Sequence, residues 1–251
     1  MQRYFIDEEN WTKDQVTIHG DDAHHIIRVM RMEEGSKVIC NRPDGVSARC
    51  QITDISDQAV HANVLEWLDE DQELPVSVTI AQGLPKGDKW DWILQKGTEL
   101  GANAFIPFQA KRSVVKWDEK KVKKKKDRWQ KIVKEASEQT HRNYIPTVAS
   151  VYSINELLKA SDSYEHTFIA YEEEAKQSFP NPTLYQMLED VIPGESIMIC
   201  IGPEGGFAEN EVRQLKEAGF QSIRLGPRIL RTETASLYAL ACLSFYFEEM
   251  R

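Results

Sequence analysis

Two loops in the second half of the sequence carry most of its structural information: IGPEGGF at Ile201–Phe207 and LGPRILRTETA at Leu225–Ala235. The first follows the apolar segment Ser196–Ile201 directly, and the second leads into a long apolar helical pattern, Thr232–Phe247. Loops that join a strand to a helix are typical of a parallel sheet with helices on its faces. Ligands of such sheets bind beyond the carboxyl ends of the strands, so we expect a binding site at these two loops.

The sequence around these loops alternates between strand and helix patterns from Pro75 onward. Short apolar runs predict strands, and longer amphipathic segments predict helices. The predicted strands are Val76–Ala81, Ala104–Phe108, His166–Tyr171, Ser196–Ile201 and Ser222–Leu225. The predicted helices are Lys89–Leu100, Asp118–Arg142, Thr183–Asp190, Glu209–Ala218 and Thr232–Phe247. This alternation predicts an α/β domain with a mostly parallel sheet.

The first 70 residues have a different pattern, in which short strands surround a Pro-Asp-Gly turn. Lys37–Asn41, Val46–Ile55 and Ala59–Leu65 are the predicted strands, and they indicate a small β-barrel-like module. Asp21 or Asp22 is suited to cap a helix that ends at Gly35. The acidic stretch before Pro75 is the best boundary, which predicts two domains, 1–72 and 73–251.

The composition is that of an ordinary folded protein, with 41% hydrophobic and 28% charged residues in a chain of 251. The N-terminus lacks an apolar signal-peptide core and no apolar run is long enough to span a bilayer, so we expect a cytoplasmic location. The four cysteines are scattered without a C-x-x-C pair, which predicts neither a disulfide framework nor a zinc site. No metal is expected.

Charge is distributed unevenly along the sequence. The net charge is −9, yet the segment Lys111–Lys134 contains twelve Lys/Arg against three Asp/Glu. Such a block is suited to bind phosphate, although a solvated helix face would explain it equally well.

The residue types in the two loops suggest ligand binding in addition to a tight turn. Glycines let the first loop turn sharply or approach a ligand closely, although a tight turn alone would explain them, and Glu204 adds a carboxylate. In the second loop, Thr232 is suited to cap the helix and Glu233 to stabilise its first turn. Arg231 stands where a helix N-terminus repels cations, which suggests pairing with a carboxylate or a phosphate.

The two loops resemble the cofactor loops of the RsmE family of ribosomal small subunit methyltransferases, which belong to the SPOUT class. Other segments are similar to the same family over almost the whole chain. These are HHIIRVMRM (His24–Met32), KGDKWDWILQKGTELG (Lys86–Gly101), RSVVK (Arg112–Lys116) and RWQKIVKEASEQTHRNYIP (Arg128–Pro146).

This resemblance implies a SPOUT methyltransferase domain with a trefoil knot, preceded by a PUA-like RNA-binding β-barrel. It implies a homodimer that uses S-adenosylmethionine to methylate N3 of a uridine in 16S rRNA. The cofactor would contact Ile201, Gly202, Pro203, Glu204, Gly205, Gly206, Leu225, Gly226, Ile229, Leu230, Arg231 and Thr232.

The resemblance and the chemistry together suggest further roles. The N3–H of uridine is weakly acidic, so a group must accept its proton or stabilise the uracil anion. The catalytic candidates are Arg231 for the anion and Glu204, Glu138 or Glu233 as proton acceptor. The candidate RNA contacts are His24, His25, Arg28, Arg31, Arg112 and Arg142. In the alternative interpretation, the two histidines only support the barrel surface and Arg142 is part of a polar helix face.

Three other functions fit parts of the same pattern. A knotted methyltransferase acting on tRNA or on a ribose 2′-hydroxyl would share the cofactor loops. A non-catalytic ribosome-assembly factor would have a degenerate pocket, against which the intact glycines and Arg231 argue. A generic nucleotide-binding protein would need a phosphate-binding loop, which the sequence lacks.

Overall fold

The computed structural model describes residues 1–117, 119–171 and 183–250. The chain divides into two compact units. The N-terminal unit comprises Met1–Glu73 and Ser137–Ile145, and the C-terminal unit comprises Leu74–Ala136 and Pro146–Arg251. The predicted boundary near residue 72 stays a prediction, and nothing in the sequence indicated that 137–145 belongs with the N-terminal unit.

The N-terminal unit is built on a sheet of the order β1-β3-β4-β5-β2. Its strands are β1 (Arg3–Phe5), β2 (Gln15–His19), β3 (Lys37–Asn41), β4 (Ser47–Ile55) and β5 (Ala59–Leu68). Only β1 and β3 pair in parallel among the described neighbours, and the other pairs are antiparallel. A short helix, α1 (Gly20–His24), continues as a π-helical turn (His25–Val29) and covers the apolar core with Ala23 and Ile26.

Segment 137–145 is fixed to this unit by buried polar contacts. The guanidinium of Arg142 forms an ion pair with Glu73, whose carboxylate also accepts the backbone N–H of Asn143 at 2.9 Å. The carbonyl of Arg142 accepts hydrogen bonds from the side chains of Arg3 and Asn41. Arg142 is only 2% exposed, so the structure argues against the predicted RNA contact and for a role in packing.

The C-terminal unit contains a parallel sheet of the order β11-β9-β10-β6-β7-β8. Its strands are β6 (Ser77–Gly83), β7 (Ala104–Phe108), β8 (Thr147–Val148), β9 (His166–Ala170), β10 (Ser196–Ile201) and β11 (Gln221–Ile223). The mixed α/β fold with a parallel sheet is therefore confirmed. The inner strands are almost continuously apolar, as expected for a sheet covered on both faces.

Helices connect the parallel strands. They are α2 (Lys89–Glu99), α3 (Glu119–Gln139), α4 (Ile154–Ser161), α5 (Leu184–Leu188), α6 (Glu209–Glu217) and α7 (Thr232–Ser244), which ends in a π-helical turn (Phe245–Glu249). Among the described helices, none combines the length and the apolar character needed to cross a membrane. The trefoil threading implied by the resemblance stays a prediction, because strand order alone does not define it.

Removal of the Arg142 guanidinium should destabilise the N-terminal unit. Arg142→Met would leave the Glu73 carboxylate buried without its partner, which typically costs about 3–5 kcal/mol. We expect a clear fall in Tm by scanning calorimetry, whereas Arg28→Met, at an exposed position, should leave Tm unchanged. A variant that melts like the wild type but binds RNA more weakly would instead support the RNA contact.

Candidate functional site

The two glycine loops form one wall of a cavity in the C-terminal unit. The cavity has a volume of about 620 Å³, within the range of about 300–1,000 Å³ that is usual for small-molecule sites. The predicted site residues that line it are Ile201, Gly202, Pro203, Glu204, Gly205, Gly206, Ile229, Leu230, Arg231 and Thr232, together with Arg112. Lys89, Ala170, Tyr171, Phe207 and Ala235 complete the lining.

A second, smaller cavity of about 230 Å³ adjoins the first. It is lined by Ile223 to Leu230, and thus by the predicted residues Leu225 and Gly226. Ala170, Tyr171, Ile229, Leu230 and Ala235 line both cavities. Ile229 and Leu230 therefore stand between two compartments, one rich in charged groups and one largely apolar.

The sheet register explains why these loops meet. Ile201, the last residue of β10, pairs with Gln82 of β6 on one side and with Ala170 of β9 on the other. The three strands therefore end at one level, and the loops that follow them open on the same edge. This is the edge at which parallel sheets bind ligands.

Backbone geometry accounts for two of the glycines. A Cβ on Gly205 would lie 2.8 Å from the backbone oxygen of Arg112, so only glycine allows this approach of the two loops. Gly226 has a φ of +80°, which side chains other than glycine rarely adopt. The loops thus present main-chain atoms to the cavities, which fits the predicted contacts with an adenine.

A buried side-chain network fixes the first loop to the closing helix. Gln82 donates to the Thr232 hydroxyl at 2.7 Å and accepts from the Ser236 hydroxyl at 2.6 Å. The Thr232 hydroxyl in turn donates to the carbonyl of Gly202 at 2.6 Å. Thr232 therefore joins the loop to α7 rather than capping the helix, whose N-cap position is occupied by Arg231.

Lys89 binds both loop carboxylates at the cavity wall. Its ammonium lies 2.9 Å from Glu204 Oε1 and 3.0 Å from Glu233 Oε2. Burial by itself would raise the pKa of Glu204, but the hydrogen bonds from Lys89 and from the backbone N–H of Lys86 outweigh it and lower that pKa. Burial would likewise lower the pKa of Lys89, and the two carboxylates reverse this and raise it.

Arg231 is exposed at the start of α7 and lines the same cavity. Among the residues that the structure describes, its guanidinium has no ion-pair partner, since Glu204 and Glu233 both bind Lys89 instead. The structural alternative, in which Arg231 pairs with one of these two carboxylates, is therefore not observed. The cavity retains an arginine that is available to an anionic ligand.

The remaining predicted residues lie in the N-terminal unit. His24, Arg28 and Arg31 are exposed there, whereas the ring of His25 lies 3.0 Å from the hydroxyl of Tyr4 and supports the core. Glu138 also belongs to this unit, whereas the two cavities are lined by residues of the other unit. The role of Glu138 as a proton acceptor stays a prediction.

Two contributors to the site were not predicted from the sequence. Gln82 lies at the end of β6 and Lys89 begins the helix that follows it, so both are at the sheet edge that was expected to bind a ligand, and this position was the available signal. Neither residue lies in the two glycine loops from which the site was predicted.

The comparisons with known proteins show the family of this chain. Residues 72–244 match the model of an RNA methyltransferase domain, and residues 18–65 match that of an RNA methyltransferase PUA domain. A ribosomal RNA small subunit methyltransferase E from Bacillus subtilis is 50% identical, over 100% of this chain and 99% of that protein. The crystal structure of a ribosomal RNA small subunit methyltransferase E from Neisseria gonorrhoeae, bound to S-adenosyl methionine, superposes with a TM-score of 0.85. It is 31% identical, with 98% of each chain covered.

A putative methyltransferase from Legionella pneumophila, in complex with the bound cofactor SAM, has a TM-score of 0.83 at 27% identity over 97% of each chain. The fold, the cavity and these matches define an RNA methyltransferase with a PUA domain. Within that class, the chain belongs to the ribosomal RNA small subunit methyltransferase E family, the RsmE family of the SPOUT class.

Replacement of Gly205 by valine should abolish cofactor binding and leave the fold intact. The added side chain would displace the Arg112 backbone at the cavity wall, while the position itself is exposed and outside the core. Calorimetric titration with S-adenosylmethionine measures the binding, and a thermal melt measures the fold. Asn210→Val, at an exposed position of α6, is the matched control and should bind normally. Undiminished binding by the Gly205 variant would contradict this location of the cofactor.

Proposed function

We propose that this protein transfers a methyl group from S-adenosylmethionine to N3 of a uridine in 16S rRNA. The observation that carries the proposal is a cavity that combines the two glycine loops with Lys89, Arg112 and Arg231, whose guanidinium has no ion-pair partner in the described part of the chain. The relatives named above are small subunit rRNA methyltransferases, and this supports the same substrate class here.

The smaller cavity suits an adenine, because the main chain of Gly226 and the side chains of Ile223, Leu225, Ile229 and Leu230 line it, with Arg224 and Arg228 as its charged members. When bound, the cofactor supplies an electrophilic methyl group on a sulfonium. The residues between the cavities, Ile229 and Leu230, would then separate the adenine from the charged compartment in which the target base is placed. Holding both partners in this way replaces an encounter in solution with fixed proximity.

The charged compartment favours stabilisation of the uracil anion over proton removal by a loop carboxylate. Glu204 is ion-paired with Lys89 and its pKa is lowered, which makes it a weaker base. Within residues 1–117, 119–171 and 183–250 Arg231 has no such partner, and its planar guanidinium is suited to hold the oxygens of an anionic base or a phosphate. In this proposal the N3 proton leaves to water, and Arg231 stabilises the negative charge.

Mass spectrometry of 16S rRNA from cells lacking this protein tests the proposed target. The expected result is the loss of one N3-methyluridine, which returns when the wild-type gene is restored and stays absent with the Arg231→Ala variant. An intact 16S pattern with a methyl group missing from tRNA or from a ribose would favour the other knotted methyltransferases. Return of the modification with a variant that does not bind the cofactor would contradict any methyl-transfer role.

Arg231→Ala should keep cofactor affinity and lose methyl transfer by roughly two to three orders of magnitude, as when one charge-stabilising donor is removed. Arg231→Lys should restore little, because a point charge does not reproduce the planar fork. Turnover, cofactor affinity and Tm are measured on the same variants, with Arg213→Ala, an exposed arginine of α6, as the control. Equal losses in all three quantities would assign Arg231 a structural role.

We also propose that the basic block on α3 contacts rRNA phosphate. Lys123 to Lys126 are exposed, whereas Trp129 and Val133 on the same helix are buried in the C-terminal unit. The helix therefore turns an apolar face inward and leaves its lysines in solvent, where they can bind a polyanion.

Changing Lys123 to Lys126 to Gln should flatten the salt dependence of RNA binding, because each neutralised phosphate releases counterions. Loss of four phosphate contacts would reduce the slope of log K against log salt by about 3. Filter binding at several salt concentrations measures the slope. Replacing Lys159 and Lys216, two exposed lysines outside the block, should leave it unchanged. An unchanged slope in the quadruple variant would indicate that the basic block is only a solvated helix face.

We propose that the protein is a homodimer through the outer face of its closing helix. Ala239, Leu240 and Leu243 of α7 are buried within the subunit, while Tyr238 and Phe245 point outward. Tyr238 and Phe245 are 38% and 59% exposed, and a dimer through this face would remove their apolar area from water.

Light scattering at micromolar concentration should report a dimer, and Phe245→Glu should shift it to a monomer because the charge would be buried at the interface. Ile192→Glu is a matched control, since Ile192 is also 59% exposed and lies elsewhere on the unit. A wild-type monomer, or equal effects of the two substitutions, would contradict this interface.

A further inference from the structure

Glu211 is a buried acidic residue that the proposed mechanism does not use. It lies in the first turn of α6 and is only 3% exposed. A buried carboxylate is costly unless its oxygens are hydrogen-bonded, so its contacts indicate why it is there. It stands beside the first glycine loop, four residues after Phe207.

The two carboxylate oxygens of Glu211 bind two different segments. Oε2 accepts the backbone N–H of Ala208 at 2.8 Å, which satisfies a free donor at the start of α6 in the manner of a capping box. Oε1 accepts the backbone N–H of Lys111 at 2.7 Å, from the loop that follows β7. Capping explains the first contact, but the second fixes a segment 100 residues away in sequence.

The segment held in this way carries Arg112 to the cavity. The Arg112 side chain lines the cavity, and its Nη1 donates to the carbonyl of Gly205 at 3.4 Å. Its backbone packs so closely on Gly205 that a Cβ there would come within 2.8 Å of the Arg112 oxygen. The hydrogen bond to Lys111 is therefore adjacent, in the chain and in space, to the wall formed by Arg112 and the glycine loop.

We propose that Glu211 is a positioning residue, which holds Arg112 at the cavity wall where it contacts the RNA substrate. The inference rests on the proposed function, in which Arg112 is an RNA contact. It also explains why the residue is a carboxylate. Two N–H groups face its two oxygens, whereas a glutamine would offer one acceptor and set its NH₂ group against the other N–H.

The test compares Glu211→Gln, Arg112→Ala and the double variant. If Glu211 acts through Arg112, each single variant raises the KM for the rRNA substrate by about tenfold, the loss of one charge-assisted hydrogen bond. The double variant is then no worse than Arg112→Ala, because coupled residues are not additive. Glu209→Gln, an exposed acid on the same turn of α6, is the control and should leave KM unchanged.

A second measurement does not depend on activity. Hydrogen exchange of a peptide spanning residues 109–116 should be faster in Glu211→Gln than in the wild type and the Glu209 control, because the Lys111 N–H loses its acceptor. Unchanged exchange, or additive effects on log KM in the double variant, would overturn the inference. Faster exchange together with an unchanged KM in Arg112→Ala would mean that Arg112 does not contact RNA and that Glu211 does not act on RNA binding. The proposed function would not be affected by that result, because cofactor binding and methyl transfer test it separately.

Discussion

The site depends on one buried amide, the side chain of Gln82. It is completely buried at the end of β6, and both ends of the amide have partners, the Thr232 and Ser236 hydroxyls. An amide without partners in such a place would cost several kcal/mol, on the order of 2–7 depending on the reference state, so the surrounding segments are held to the positions that satisfy it. Those segments are the end of β6, the Gly202 loop, which is 120 residues from Gln82, and the start of α7, which is 150 residues from it.

The charges at the cavity follow from this framework. Because α7 and the first loop are held together, Glu204 and Glu233 lie close enough for one ammonium, that of Lys89, to bind both. The lysine neutralises carboxylates that would otherwise repel RNA and an anionic base. Arg112 and Arg231 are then the remaining cations of the cavity lining, and the compartment favours negative charge on its ligand. In the proposed mechanism Arg231 stabilises the charge that develops on the base, and Arg112 contacts the RNA, so each guanidinium must be held in position at the cavity wall.

Sequence patterns predicted the parallel sheet and the two loops because both are local. The apolar run Ser196–Ile201 and the glycines after it are contiguous, and the register of β10 with its neighbours then brings the loops to one edge. The partners of Gln82 and Lys89 lie 150 and 115 or more residues away, and no local pattern indicates them. The strand pair formed by β1 with β3, and the short helix α4, were also missed, because each is too short to show a clear period.

Arg142 and Arg231 show that the sequence does not predict the partner of a charged side chain. Arg142 stands at the end of one predicted helix and Arg231 just before the start of another. Both were predicted to bind an anion. Each prediction about chemistry was reasonable, since a guanidinium in either place needs a partner. The two arginines differ in whether a carboxylate from a distant segment lies beside them. Glu73 forms a buried ion pair with Arg142, so the charge of Arg142 is balanced within the fold. Glu233, two residues from Arg231, is bound by Lys89 instead, and among the described residues Arg231 has no ion-pair partner. The proposed role of Arg231 in binding therefore depends on Lys89, the first residue of α2, which pairs with the carboxylates of Glu204 and Glu233.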